Sequence, residues 1–221
     1  MRLSIAGVLG EAWSLYTRYA GKLILLCAAV FAFVSLVPAA IGPTRDPGLV
    51  AVVVLLDVVA IALLQGALAV AVGELRAGRT ELSLARMLAR ASERFWPLVI
   101  AVLLLAAVVV GGFILLIVPG LVLLTYTMAV VPAVVLEGRD PLGAFQRSFA
   151  LVRGDALAVF AIIVLTTLVA VAVSAVIQAA LAPLPRFVDI YLAWVVANAV
   201  VVPLVALAWT ITYFDLKLNK G

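Results

Sequence analysis

Histidine is absent from the 221 residues, cysteine occurs once, at Cys27, and charged side chains make up only 12% of the chain. Each scarcity excludes something. Without imidazole there is no Ser-His or Cys-His pair, no histidine general base and no mixed Cys/His zinc site. With one thiol there is no disulfide framework and no iron–sulfur ligand set. An ordinary soluble domain is about 25% charged and about 45–50% apolar, whereas this chain is 67% hydrophobic with a mean hydropathy of +1.34. That is more apolar side chain than a core of this size can take out of water, so the surplus faces lipid.

Charge is also scarce in a patterned way. Four charge-free stretches, 23–44, 95–136, 156–185 and 190–214, are each long enough to cross a hydrocarbon layer, which takes roughly 20 helical residues. The stretch over 95–136 is too long for one helix and carries Pro119-Gly120 near its middle, so it reads as two spans joined by a tight turn. A further apolar region, Pro47 to Gly73, is interrupted only by Asp57. The spacing predicts one integral membrane domain over 1–221: an all-α, polytopic transmembrane helical bundle of six spans. The spans are placed at 22–42, 49–72, 97–118, 121–136, 156–182 and 190–214. The fourth is short, and length alone leaves open whether the third and fourth cross fully or form a re-entrant hairpin.

Of the Lys and Arg residues, thirteen fall before span one, between spans two and three, between four and five, or after span six; only Arg45 and Arg186 fall on the other side. By the retention of positive charge on the cytoplasmic side, this places both termini in the cytoplasm and the chain in the cell membrane. The net charge of +4 is then a topology signal and not a nucleic-acid footprint. A cleavable signal peptide is not expected, because the first apolar run is of spanning length.

Three amphipathic segments precede helical pairs. Ile5, Val8, Leu9, Ala12, Tyr16 and Tyr19 form one face of the first; Leu84, Met87, Leu88, Ala91 and Phe95 form one face of the second, with Arg86, Arg90 and Arg94 spaced i, i+4 on another. In the third, Asp140 is placed as N-cap and Pro141 as first helical residue, ahead of Leu142, Phe145, Phe149 and Val152. Arg18, Arg94 and Arg153 each end such a segment, which predicts three pseudo-repeats of interfacial helix plus hairpin. The arginines Arg86, Arg90 and Arg94 are candidate contacts for lipid headgroups.

Polar groups at membrane depth are few. A carboxylate in a span costs about 2.5–3.5 kcal/mol on insertion scales, which singles out Asp57 as an ion or proton site or, as favoured here, a hydrogen-bonded strut with Asn198 or Gln178. Gln65 lies two turns below it, so Asp57, Gln65 and Asn198 form the candidate intramembrane polar site. Thr125, Thr127, Thr166 and Thr210 are expected to bond back to their own helices or to line a small cavity. Gly111 and Gly112 permit close helix approach, Pro132 and Pro203 should kink their spans, and Trp13, Trp96, Trp194, Trp209, Tyr191 and Tyr213 read as interfacial anchors. Cys27, inside span one, reads as an inert small hydrophobe. No catalytic constellation, cofactor motif or metal-ligand set is found, so the expectation is a non-enzyme.

Several runs resemble a known family. The segments 131–138 (VPAVVLEG) and 141–154 (PLGAFQRSFALVRG), with GEAWSLY at 10–16, RFWP at 94–97, IVPG at 117–120 and YFDLK at 213–217, are similar to prokaryotic six-helix proteins related to the membrane domain of glycerophosphoryl diester phosphodiesterases. The resemblance implies a six-helix membrane fold of largely uncharacterised role. It does not bring the phosphodiesterase activity, which in fused relatives belongs to a barrel whose histidines and length this chain lacks. Glu137, Arg147, Ser148, Arg153 and Gly154 match the signature; no catalytic role attaches to them, and ion pairs with a glycine helix end would fix the loop. The functional expectation is a non-catalytic membrane module that binds lipid, anionic by the charge pattern, or a partner: a membrane protein or a second copy of the chain. The alternative is a small transporter or channel subunit with a polar pathway around Asp57.

Overall fold

The computed structural model describes residues 3–41, 46–79, 83–183 and 186–220, the side chains of 38–40, 84 and 186–191 excepted. Arg2, Arg45 and Glu81, and the side chains of Leu84, Arg186 and Tyr191, therefore lie outside the described residues. Helices follow one another with no strand among the described residues: α1 (Ile5–Ile41), α2 (Pro47–Arg76), α3 (Leu84–Ser92), α4 (Phe95–Leu115), α5 (Ile117–Thr127), α6 (Val130–Glu137), α7 (Pro141–Val152), α8 (Ala156–Leu181) and α9 (Arg186–Lys220). Among the described residues, six segments are long and apolar enough to cross a membrane: within α1, α2, α4, α5 with α6, α8 and α9. This is a multi-pass membrane architecture.

The N-terminal amphipathic segment is not a separate interfacial helix. It continues into the first span as one 37-residue helix, because Gly10 and Gly21 are isolated and no proline follows them until Pro38. Val8, Ala12, Tyr16, Leu23, Leu26, Cys27 and Phe31 are all buried in the main core. The described helices therefore include two separate amphipathic connectors, α3 and α7, where three were expected, and the three-fold repeat is not reproduced.

Asp140 does cap α7, its carboxylate accepting from Gly143 N at 3.2 Å, with Pro141 first in the helix. The turn between the third and fourth spans comes at Leu116, earlier than Pro119-Gly120. Leu116 alone is extended (φ −167°, ψ 156°), and α5 starts at once. Gly112 and Gly120 make this one-residue turn possible: a Cβ on Gly112 would lie 2.7 Å from Leu123 and 3.0 Å from the Gly120 backbone.

The fourth span is broken. Pro132 has no N–H to offer the carbonyl of Met128, and α5 gives way to α6 across Met128 and Ala129. Pro203, by contrast, is carried inside an unbroken α9. Of the expected anchors, Trp13 and Trp96 are exposed. Trp194 packs edge-on to Phe31 with centroids 5.3 Å apart, Trp209 is half-buried, and Tyr213 is fully buried.

Candidate functional site

The end of the bundle where α2 meets α3 and α9 finishes collects nearly all the described charge. Glu137, the last residue of α6, is its centre. Its carboxylate accepts from Tyr213 Oη at 2.7 Å, from Arg147 Nε at 3.2 Å and from Arg139 Nε at 3.3 Å, and lies 3.1 Å from Lys217 Nζ. Only 10% of the Glu137 side chain is accessible. A carboxylate so enclosed is tolerable only because each lone pair is met, and here three cations share one anion. Lys217 also lies over the Tyr213 ring, 5.8 Å from its centroid.

Two further knots tie the helices. Arg76, at the end of α2, donates to Glu11 of α1 at 2.8 Å and to Asp215 of α9 at 2.9 Å, and stacks over Phe214 at 5.4 Å. Lys220 donates to the carbonyls of Leu151 at 2.6 Å and of Arg153, and lies 3.6 Å from Asp155. Gly154 follows at φ +100°, a left-handed position that glycine takes without a Cβ penalty and that ends α7. Glu74 is met by Arg79 at 3.1 Å and by Arg90 at 3.2 Å.

Ser148 does something its place in a loop signature did not suggest. Fully buried on α7, its hydroxyl donates to the Tyr126 carbonyl at 2.6 Å and accepts from Ala129 N at 3.1 Å. These are backbone groups on either side of the break in span four, and unwound backbone at membrane depth needs such partners. Phe149 stacks on Tyr126 beside it, centroids 5.1 Å apart.

Against this layer opens a cleft of about 500 Å³, with Val70, Val135 and Leu136 as an apolar wall and Arg90, Glu93, Arg94, Glu137 and Gly138 as its polar part. Gly138 sits at φ +67°, and Arg94 lies across its backbone, its Nη2 only 2.9 Å from where a Cβ would stand. The three arginines of the predicted stripe differ. Arg90 is held by Glu74, whereas Arg86 and Arg94 are exposed and form no ion pair among the described residues. The cleft thus sets two guanidiniums, of which Arg94 forms no ion pair among the described residues, beside two carboxylates, of which Glu137 is already met by three cations.

A family model described as Domain of unknown function (DUF7847) matches residues 98–216, just over half of the chain. The chain belongs to that family. No curated protein and no solved structure matches it. The DUF7847 match takes in Glu137, Arg147, Ser148, Tyr213 and Asp215, the break and its clasp; Glu11, Glu74, Arg76, Arg86, Arg90 and Arg94 fall before it.

The three residues of the intramembrane candidate are not joined by any hydrogen bond among the described residues. Asn198 donates to Trp194 O of its own helix at 2.9 Å, and neither Asn198 nor the exposed Gln178 meets half-buried Asp57. The strut is not formed. Gln65 instead faces a small cavity at the helix break, with Met128, Pro132, Trp209 and Thr210. Thr125, Thr127 and Thr166 bond back to carbonyls three or four residues earlier, as expected.

Sequence reasoning missed Tyr213 and Lys217 as partners of Glu137, and Glu11 and Asp215 as partners of Arg76. A signal was present: Tyr213, Asp215 and Lys217 crowd the end of a span in which acidic and basic groups alternate, a pattern that suits pairing more than anchoring.

Proposed function

We propose that this chain is a non-catalytic module of the cytoplasmic membrane, with both termini cytoplasmic, that binds anionic lipid headgroups at its charged end. The observation that carries the reading is the cleft at Arg94: an exposed guanidinium held across Gly138, with no ion pair among the described residues, next to an apolar wall that can accept the start of an acyl chain. Thirteen of the fifteen basic residues lie in the segments that this topology puts on the cytoplasmic side, where anionic lipids attract juxtamembrane Lys and Arg at about 1 kcal/mol each. Exposed Trp96, two residues from Arg94, fits headgroup depth. The similarity of the 131–154 region to the membrane domain of glycerophosphoryl diester phosphodiesterases supports a membrane-embedded role and brings no catalytic residue with it.

The test is native mass spectrometry of protein released from membranes in mild detergent, wild type beside Arg94→Gln. Retained anionic phospholipid, depleted in the variant and displaced by salt, is the result expected. Equal retention in both proteins, or retention of zwitterionic lipid alone, contradicts the proposal.

A further inference from the structure

The far end of the α4–α5 hairpin is unlike the other described parts of the surface. Ile114, Leu115, Leu116, Ile117 and Val118 are 68–79% exposed in a row, and no polar side chain occurs between Trp96 and Thr125. Of the other two connections at that end of the bundle, the one between α1 and α2 contains Thr44, Arg45 and Asp46, and the one between α8 and α9 is Ala-Pro-Leu-Pro with Arg186 and Asp189 following in the first turn of α9. A turn that meets water ordinarily has such polar residues in it or within one helical turn of it; this one has none.

Its length agrees. Met128 of the broken span lines one small cavity with Gln65 of α2 and Ala206 of α9, which sets a common level across the bundle. From Met128 to the turn at Leu116 is 12 residues, at most about 18 Å at helical rise. From Gln65 back to Pro47, where α2 starts, is 18 residues, about 27 Å, and from Ala206 back to Arg186, the start of α9, is 20 residues, about 30 Å. The hairpin stops short of both neighbours by about 9–12 Å, roughly the depth of a headgroup layer.

The turn is held by two backbone hydrogen bonds. Leu116 N donates to Gly112 O at 3.1 Å, Leu116 O accepts from Gly120 N at 3.3 Å, and Pro119 carries no N–H to satisfy.

We infer that the α4–α5 tip ends within the acyl chains of the far leaflet, beneath its headgroups, so that residues 114–118 form a surface for lipid hydrocarbon and do not emerge into water. The membrane above the tip is then thinner in protein than over α2 or α9, with acyl chains seated on the leucine and isoleucine side chains. This rests on the membrane architecture alone and is independent of the lipid-headgroup cleft at the other end.

Site-directed labelling decides it. In a Cys27→Ala background, Leu116→Cys and Ile114→Cys are placed beside Thr44→Cys and treated in right-side-out and inside-out membrane vesicles with a membrane-impermeant maleimide. Both tip positions should label at least about tenfold more slowly than Thr44→Cys from the far face, and no faster from the charged face, because reagent and thiolate are both excluded from hydrocarbon. Tryptophan fluorescence of Leu116→Trp, measured against the parent protein in vesicles of lipid brominated along the acyl chains, should gain a strongly quenched component that iodide in the buffer does not touch. Labelling of either tip cysteine from either face at a rate near that of Thr44→Cys, or quenching of the added tryptophan by iodide, overturns the inference.

Discussion

Two short amphipathic helices, α3 and α7, look alike as patterns of apolar and basic residues, yet they hold opposite relations to the rest of the molecule. Helix α3 buries Met87 and Ala91 against α2 and leaves Arg86, Arg90 and its neighbours at the surface. Helix α7 buries Ala144, Ser148, Leu151 and Val152 and touches α4, α5, α6 and α9. One leaves its basic face exposed. The other is wedged into the bundle, where it clasps a broken span and supplies a cation to Glu137. The lesson is that an amphipathic stripe reports a boundary between apolar and polar surroundings without saying whether the polar side is water, lipid phosphate or an internal ionic layer.

The comparison can be broken most forcefully at Glu137. Glu137→Gln removes the anion shared by Arg139, Arg147 and Lys217 and should destabilise the protein by about 3 kcal/mol, read as a fall in melting temperature in detergent; Glu93→Gln, at the end of α3, should leave it within about 0.5 kcal/mol. Next comes Ser148→Ala. It leaves Tyr126 O and Ala129 N without partners and should cost about 2–3 kcal/mol, with faster hydrogen exchange confined to residues around 126–130; a uniform change along the span would argue against the clasp. Gly138→Ala forces a Cβ into the left-handed region and against Arg94, a loss of about 1–2 kcal/mol that should be accompanied by weaker lipid retention, since the guanidinium must move. A smaller loss than these belongs to Arg90→Gln, under about 1 kcal/mol for a half-exposed pair, with salt-dependent binding to anionic vesicles reduced in the same variant.

Much of the architecture was legible because bilayer physics writes itself into composition. Spans show as charge-free lengths, and Asp140-Pro141 marks a helix start by local chemistry alone. Pro132 was legible as a kink, since a missing N–H acts within one turn, but the partner that meets the opened backbone is Ser148, 16 residues beyond Pro132, and nothing local announces it. The continuity of α1 was missed for the reverse reason: its sequence contains a change of polarity at Lys22 but no break in helical hydrogen bonding, and polarity was read as if it were a boundary. The three residues grouped as Asp57, Gln65 and Asn198 were joined by depth, which periodicity gives, whereas contact depends on rotation and tilt, which it does not. Arg86, Arg90 and Arg94 form a uniform stripe in sequence, and only the placement of Glu74 gives Arg90 an ion pair where Arg86 and Arg94 form none among the described residues.

The division of labour between the two helices is tested most directly by one paired experiment: melting temperature and retained anionic phospholipid measured together for wild type, Arg94→Gln and Arg147→Gln. The account predicts crossed effects, with Arg94→Gln keeping its stability and losing lipid, and Arg147→Gln losing stability while the folded fraction keeps its lipid. Parallel effects, in which both variants lose lipid and stability together or Arg94→Gln loses neither, would contradict it.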